Sequence, residues 1–213
     1  MGDGTTTRIV RAMPVRRVTM LALGLTLFGV SVAMLVLADL GLASWDVFHQ
    51  GVAKQTGLSQ GMATICTSLS VLLLWIPLRQ KPGIGTLANA FVVGLVVDAV
   101  LALTPDVGND LTRWVLLIAG VLLNGVATGM YIGAGLGPGP RDGLMTGIAK
   151  RGHSVRMVRT CIEIVVLAVG WLLGGTVGVG TVLFAVAIGP LAHLTIPWFT
   201  SRSERELITA DGL

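Results

Sequence analysis

Six long apolar runs recur along the chain, at about 18–38, 60–78, 85–104, 114–134, 156–174 and 180–199, each closed by a short polar break. A helix rises ~1.5 Å per residue, so roughly 20 apolar residues cross the ~30 Å hydrocarbon layer. Each run therefore predicts a transmembrane helix. Two further stretches break the pattern: LGLASWDVFHQGVAK at 40–54 and LGPGPRDGLMTGIAK at 136–150. Both predict a short helix, over 44–55 and 140–151, of roughly 15 Å or about half the hydrocarbon thickness. Pro140 suits a first helical turn, Gly57 and Gly152 suit helix ends, and Ser44, Ser59 and Ser154 are expected N-caps.

The two interruptions belong to a longer repetition. At an offset of 96, Arg17, Leu21, Gly24, Leu27, Gly29 and Met34 match Arg113, Leu117, Gly120, Leu123, Gly125 and Met130. At the same offset Leu40, Gly41, Asp46, Gly51, Ala53 and Lys54 match Leu136, Gly137, Asp142, Gly147, Ala149 and Lys150. At an offset of 95, Ser59, Cys66 and Gly94 match Ser154, Cys161 and Gly189, and GIGT at 83–86 meets GVGT at 178–181. The collinear series predicts a duplication. Each half holds three spans, an odd number, so the second half must be inverted relative to the first. The expected fold is all-α: a polytopic membrane protein with six transmembrane helices in a 3+3 inverted repeat, plus one short helix per half, re-entrant or interfacial. Its parts are an arm at 1–17, repeat one at 18–104, a linker at 105–113, repeat two at 114–199 and a tail at 200–213.

Composition agrees and excludes other classes. The chain is 53% hydrophobic and 12% charged, with 29 glycines, a balance suited to lipid rather than to a soluble core. The net charge of +4 invites a nucleic-acid reading, yet no aromatic interleaving or recognition helix supports one. The charge is instead an orientation signal. In the six-span arrangement only Lys54 and Arg113, of the 15 basic residues, fall outside. That bias predicts a bacterial cytoplasmic membrane protein with both termini cytoplasmic.

Candidate chemistry is sparse. Pro138 and Pro140 withhold backbone donors, while Gly137 and Gly139 permit close backbone approach. On the functional reading the short helices re-enter the bilayer and line a solute site, with Asp46, Arg141 and Asp142 as its polar groups and Arg141 clamping an anionic group. On the structural reading they lie in the interface, and Asp46 and Asp142 serve as helix caps. Asp98 and His193 stand at equivalent depths in helices three and six, where ionisable groups mark a pathway or pair with a partner; they are candidate proton-coupling groups. Glu163 is expected to pair with Arg159 one turn earlier. Gly24, Gly29, Gly120, Gly125 and Gly129 are expected at close helix contacts. Cys66 and Cys161 should lie near opposite membrane faces as free thiols filling small packing positions. No metal-ligand spacing, phosphate loop or nucleophile elbow occurs, so neither metal, cofactor nor enzymatic activity is expected.

The run GLGPGPRDGLMTGIAKRGHSVRMVRTCIE, with SWDVFHQGVAK and PGIGTLANAFVVG in the first half, resembles the YczE/YitT-type family of bacterial integral membrane proteins. The resemblance covers about residues 18–199. Where that family carries Gly-Pro before Trp-Asp, this chain has Ala43 and Ser44. The resemblance implies a polytopic membrane protein and no particular substrate. The leading expectation is a small transporter or permease for a small polar solute. A non-transporting scaffold supporting another membrane or secretory component is the alternative. The expected partners are the bilayer and the solute, without nucleic acid; a homodimer or a membrane-protein partner is compatible with the sequence.

Overall fold

In a computed structural model the described residues are 15–105 and 107–200. Most of the expected N-terminal arm and C-terminal tail lies outside them. The described chain forms eight helices: α1 (Val15–Ala38), α2 (Ser44–Thr56), α3 (Gln60–Leu78), α4 (Ile84–Leu103), α5 (Asp110–Gly133), α6 (Pro140–Ala149), α7 (Val155–Leu172) and α8 (Val179–Phe199). All the described secondary structure is helical. Five helices are long and apolar enough to cross a membrane: α1, α3, α4, α5 and α8. The remaining expected span, α7, has 18 residues but carries Arg156, Arg159 and Glu163. Large apolar side chains such as Leu73, Ile76, Leu95, Leu122, Ile164, Val186 and Leu194 point outward. That inside-out surface is what lipid rather than water selects.

Small residues set the packing. α1 and α5 run antiparallel in close contact, because a side chain at Gly24 would meet the Tyr131 backbone at 2.8 Å and one at Gly120 would meet Leu35 at 3.2 Å. Between these points the Asn124 amide donates to Ser31 Oγ at 2.8 Å, a buried polar tie worth more in a dry interior than at a surface. The same contact is made twice elsewhere: Gly29 of α1 seats Val96 of α4, and Gly125 of α5 seats Leu191 of α8. Gly129 and Gly133 continue that seam against Thr195 and Phe199. The expected close-packing glycines thus all sit at helix contacts.

The loops after α1 and α5 hold the bundle's ends. Leu40 C=O accepts from Gly180 N at 2.7 Å, and Leu136 C=O accepts from Gly85 N at 2.9 Å. Each loop so docks on a Gly-x-Gly-Thr turn in the other half of the chain. Gly41 and Gly137 make the docking bend at φ values of 111° and 122°, conformations that disfavour a side chain. At the α1 end Arg113 also pairs with Asp39 at 3.0 Å.

From these loops the short helices turn inward. α2 packs on α7 and α6 packs on α3. The start of α2 meets mid-α7, where Ser44 donates to Glu163, and its end meets the α7 terminus, where Lys54 donates to the Gly174 carbonyl at 2.8 Å. The start of α6 meets Trp75, whose indole N–H donates to the Pro140 carbonyl at 3.0 Å. Its end meets the close of α3, where Arg151 donates to the Pro77 carbonyl at 2.7 Å. Both helices therefore have their N-terminal turns inside the bundle. Neither lies flat across its end.

Several local expectations need correcting. Ser59 does cap α3, accepting from Met62 N, and Gly57 ends α2 at φ 73°. Ser44, however, is already helical and its hydroxyl goes to Glu163, so the cap position falls to Ala43. Ser154 stands at the α7 cap without a side-chain bond. Glu163 takes the Ser44 hydroxyl in place of Arg159. Cys66 and Cys161 are free, but both are exposed on the outer surface and fill no packing position.

Candidate functional site

The N-terminal turns of α2 and α6 meet at one cavity. Asp46 comes from the first turn of α2; Gly139, Arg141 and Asp142 come from the start of α6. Phe28 of α1, Thr67 and Ser68 of α3, Asn89 of α4 and Tyr131 of α5 complete the wall. This cavity is narrow, about 40 Å³. Tyr131, Arg141 and Asp142 also border a wider cleft of about 610 Å³ between α5, α7 and α8. The three side chains stand between the two spaces.

The acids here are already partnered. Asp142 Oδ2 accepts from the Tyr131 hydroxyl at 2.8 Å, and Asp46 Oδ1 lies 3.5 Å from His49 Nδ1. The same His49 nitrogen lies 3.2 Å from Thr64 Oγ1. Asp46 and His49 are each only 6% exposed, which explains the need for a mutual partner. Neither Asp46 nor Asp142 bonds the first-turn N–H groups, so the expected capping role is not what the geometry builds.

Two donors are in the opposite state. Trp45 is 5% exposed, lines the narrow cavity, and its Nε1–H has no acceptor. An unmet buried N–H costs about 1–3 kcal/mol. The Arg141 guanidinium lies over the Phe28 ring, 5.6 Å from its centroid, and makes no hydrogen bond or close ion pair among the described residues. Phe28 is itself held edge-on by Tyr131, with ring centroids 6.0 Å apart. A cation over an aromatic face is oriented, yet its five donors stay available. At the offset of 96 Trp45 corresponds to Arg141, so equivalent positions in the two short helices both present an unused donor.

The other candidates fall elsewhere. Gly137 lies outside the cavity, where it packs against Thr86 and Gly83 in the docking bend. Asp98 is committed to the start of α3, accepting from Ser59 Oγ at 2.5 Å and from Gly61 N at 2.7 Å. His193 is exposed and borders the wide cleft. Among the described residues no hydrogen bond or ion pair joins the two. His49, Tyr131 and Trp45 went unremarked as site residues in the sequence. The signals available were the sole tyrosine of the chain and the equivalence of Trp45 with Arg141.

Comparison with known proteins places the sequence in a family. Residues 15–197 match a family of unknown function, DUF6198. An uncharacterised protein of Haemophilus influenzae is 39% identical over 179 residues, covering 84% of this chain and 82% of the relative. The uncharacterised membrane protein YczE of Bacillus subtilis is 35% identical over 172 residues, covering 80% of each. YyaS of the same organism, also uncharacterised, is 24% identical over 182 residues, covering 82% of this chain and 90% of the relative. No solved structure matches significantly. With nearly all its described helices inside the matched region, the chain belongs to the DUF6198 family, as a membrane protein of the YczE type.

Proposed function

We propose that the protein is a small inverted-repeat permease that moves a small polar solute across the bacterial cytoplasmic membrane. The observation that carries this reading is that both short helices border one cavity with their N-terminal turns. Their N-terminal turns bring Asp46, Arg141 and Asp142 to one buried cavity, and that cavity adjoins a wide cleft. Short broken elements at matching positions of two inverted halves are a recurrent way to build a substrate site in transporters. Irregular backbone at membrane depth is tolerated where it lines such a cavity.

The inverted arrangement of three spans per half, with both termini cytoplasmic, rests on the charge bias and is supported by paired contacts. The Leu40–Gly180 and Leu136–Gly85 hydrogen bonds are related by the repeat offsets. So are the Gly29–Val96 and Gly125–Leu191 contacts. In this reading transport is a rocking of one half against the other about the cavity, with Tyr131, Arg141 and Asp142 as the partition that opens alternately. The Asp46–His49 pair takes over the coupling role first expected of Asp98 and His193, since it lies in the cavity wall.

The test is efflux from proteoliposomes loaded with a mixed pool of neutral, cationic and anionic metabolites, read by mass spectrometry. Wild type is expected to deplete at least one solute, and Asp142→Ala to slow that depletion about 10-fold or more, since the partition then loses the carboxylate that holds the Tyr131 hydroxyl. A pool left intact by folded wild type, with a membrane protein co-purifying instead, would replace the permease with the scaffold alternative.

A further inference from the structure

We infer that the solute carries a single carboxylate on a small apolar body, with the carboxylate seated between Arg141 and Trp45. This names the substrate class of the cavity proposed above and rests on that reading for the site. The argument is an imbalance of donors and acceptors. Every acid at the two spaces has an internal partner: Asp46 has His49, Asp142 has the Tyr131 hydroxyl, and Glu163 has the Ser44 hydroxyl. The donors have none. Trp45 lines the cavity with its buried Nε1–H lacking an acceptor, and the Arg141 guanidinium makes no hydrogen bond or close ion pair, only its ring contact with Phe28 and the longer-range attraction of Asp142, Asp46 and Glu163. What these two donors lack is an acceptor between them. A cation there would have to sit against the Arg141 guanidinium.

Charge and shape narrow the class. The positive ends of the α2 and α6 dipoles both face the cavity and favour an anion there. Three nearby carboxylates oppose a doubly charged one, so a monoanion suits the field better than phosphate. The planar guanidinium fork matches a carboxylate, with the indole N–H as a lateral third donor. Beyond Arg141 one part of the mixed wall of the wide cleft is formed by Ile132, Ile164, Phe184 and Ile188, a strip that suits a small apolar body.

The experiment measures thermal unfolding of the full-length protein in lipid nanodiscs with three matched probes: isovalerate, its neutral amide isovaleramide and isopentylammonium. At about 10 mM, isovalerate alone is expected to raise the midpoint in a dose-dependent way. Trp45→Phe and Arg141→Gln are each expected to weaken isovalerate binding about 10-fold or more. Trp45→Phe keeps the ring and removes the N–H, so it decides the matter even where Arg141→Gln does not fold. Equal stabilisation by the amide or the ammonium, no shift with any probe, or wild-type affinity in Trp45→Phe would overturn the assignment. Binding and flux separate the two proposals. Isovalerate binding without efflux removes the permease and leaves the carboxylate site, whereas efflux confined to neutral or cationic solutes does the reverse.

Discussion

Asp98 shows how far the role of a single ionisable residue depends on its neighbours. Its carboxylate receives the Ser59 hydroxyl and the Gly61 N–H, which ties the middle of α4 to the first turn of α3. A carboxylate at a helix N-terminus meets orphan donors and the positive end of the dipole. Asp98→Asn should therefore cost about 1–3 kcal/mol by thermal unfolding and leave efflux per folded molecule unchanged. A folded variant whose efflux collapses would give Asp98 the coupling role instead. At this scale the sequence was partly legible. Asp46, Arg141 and Asp142 could be read as one site because duplication singled them out. Asp98 and His193 are singled out by the same logic and form no bond with each other, because equivalent positions in a repeat mark similar surroundings rather than contact. The Tyr131–Asp142 bond lay beyond reach, since it needs the angle at which the loop after α5 returns the chain.

Among the elements, glycine does the most to decide which helices touch. Two substitutions separate its uses. Gly57 closes α2 in open space at φ 73°, so Gly57→Ala should cost only the left-handed conformation, about 1 kcal/mol. Gly143 stands where a side chain would come 2.0 Å from Trp75. Gly143→Ala should then push α6 off α3, with a loss of about 2 kcal/mol or more that Trp75→Leu relieves in the double variant. Near-additive losses on urea or thermal titration would mean that α6 docks by other contacts. The long elements could be read to within a few residues from hydropathy alone; the α5 start is the largest difference, at Asp110 instead of 114, because Asn109 accepts from Leu111 N and caps it earlier. The short helices were visible as breaks in the pattern. Their inward tilt was not, because an amphipathic stretch with terminal charges reads alike in an interface and in a bundle.

For the molecule as a whole, the two reciprocal dockings impose an order on biogenesis. The bend at Leu40–Gly41 finds its partner at Gly178–Thr181, and α2, which rests on α3 in its own half, finds its larger neighbour only when α7 has been made. The emerging first half must therefore wait in the bilayer with an undocked loop and a short helix covered on its α3 side alone. Contacts of such long sequence separation form late. Residues 1–105 produced alone should be degraded, and co-production of 106–213 should restore a complex that purifies together and resists protease. Survival of the first half by itself would show that its loop closes without the second. If the two pieces do rescue each other, the covalent link between them is dispensable, and a single continuous chain is then a matter of supplying both halves in equal number.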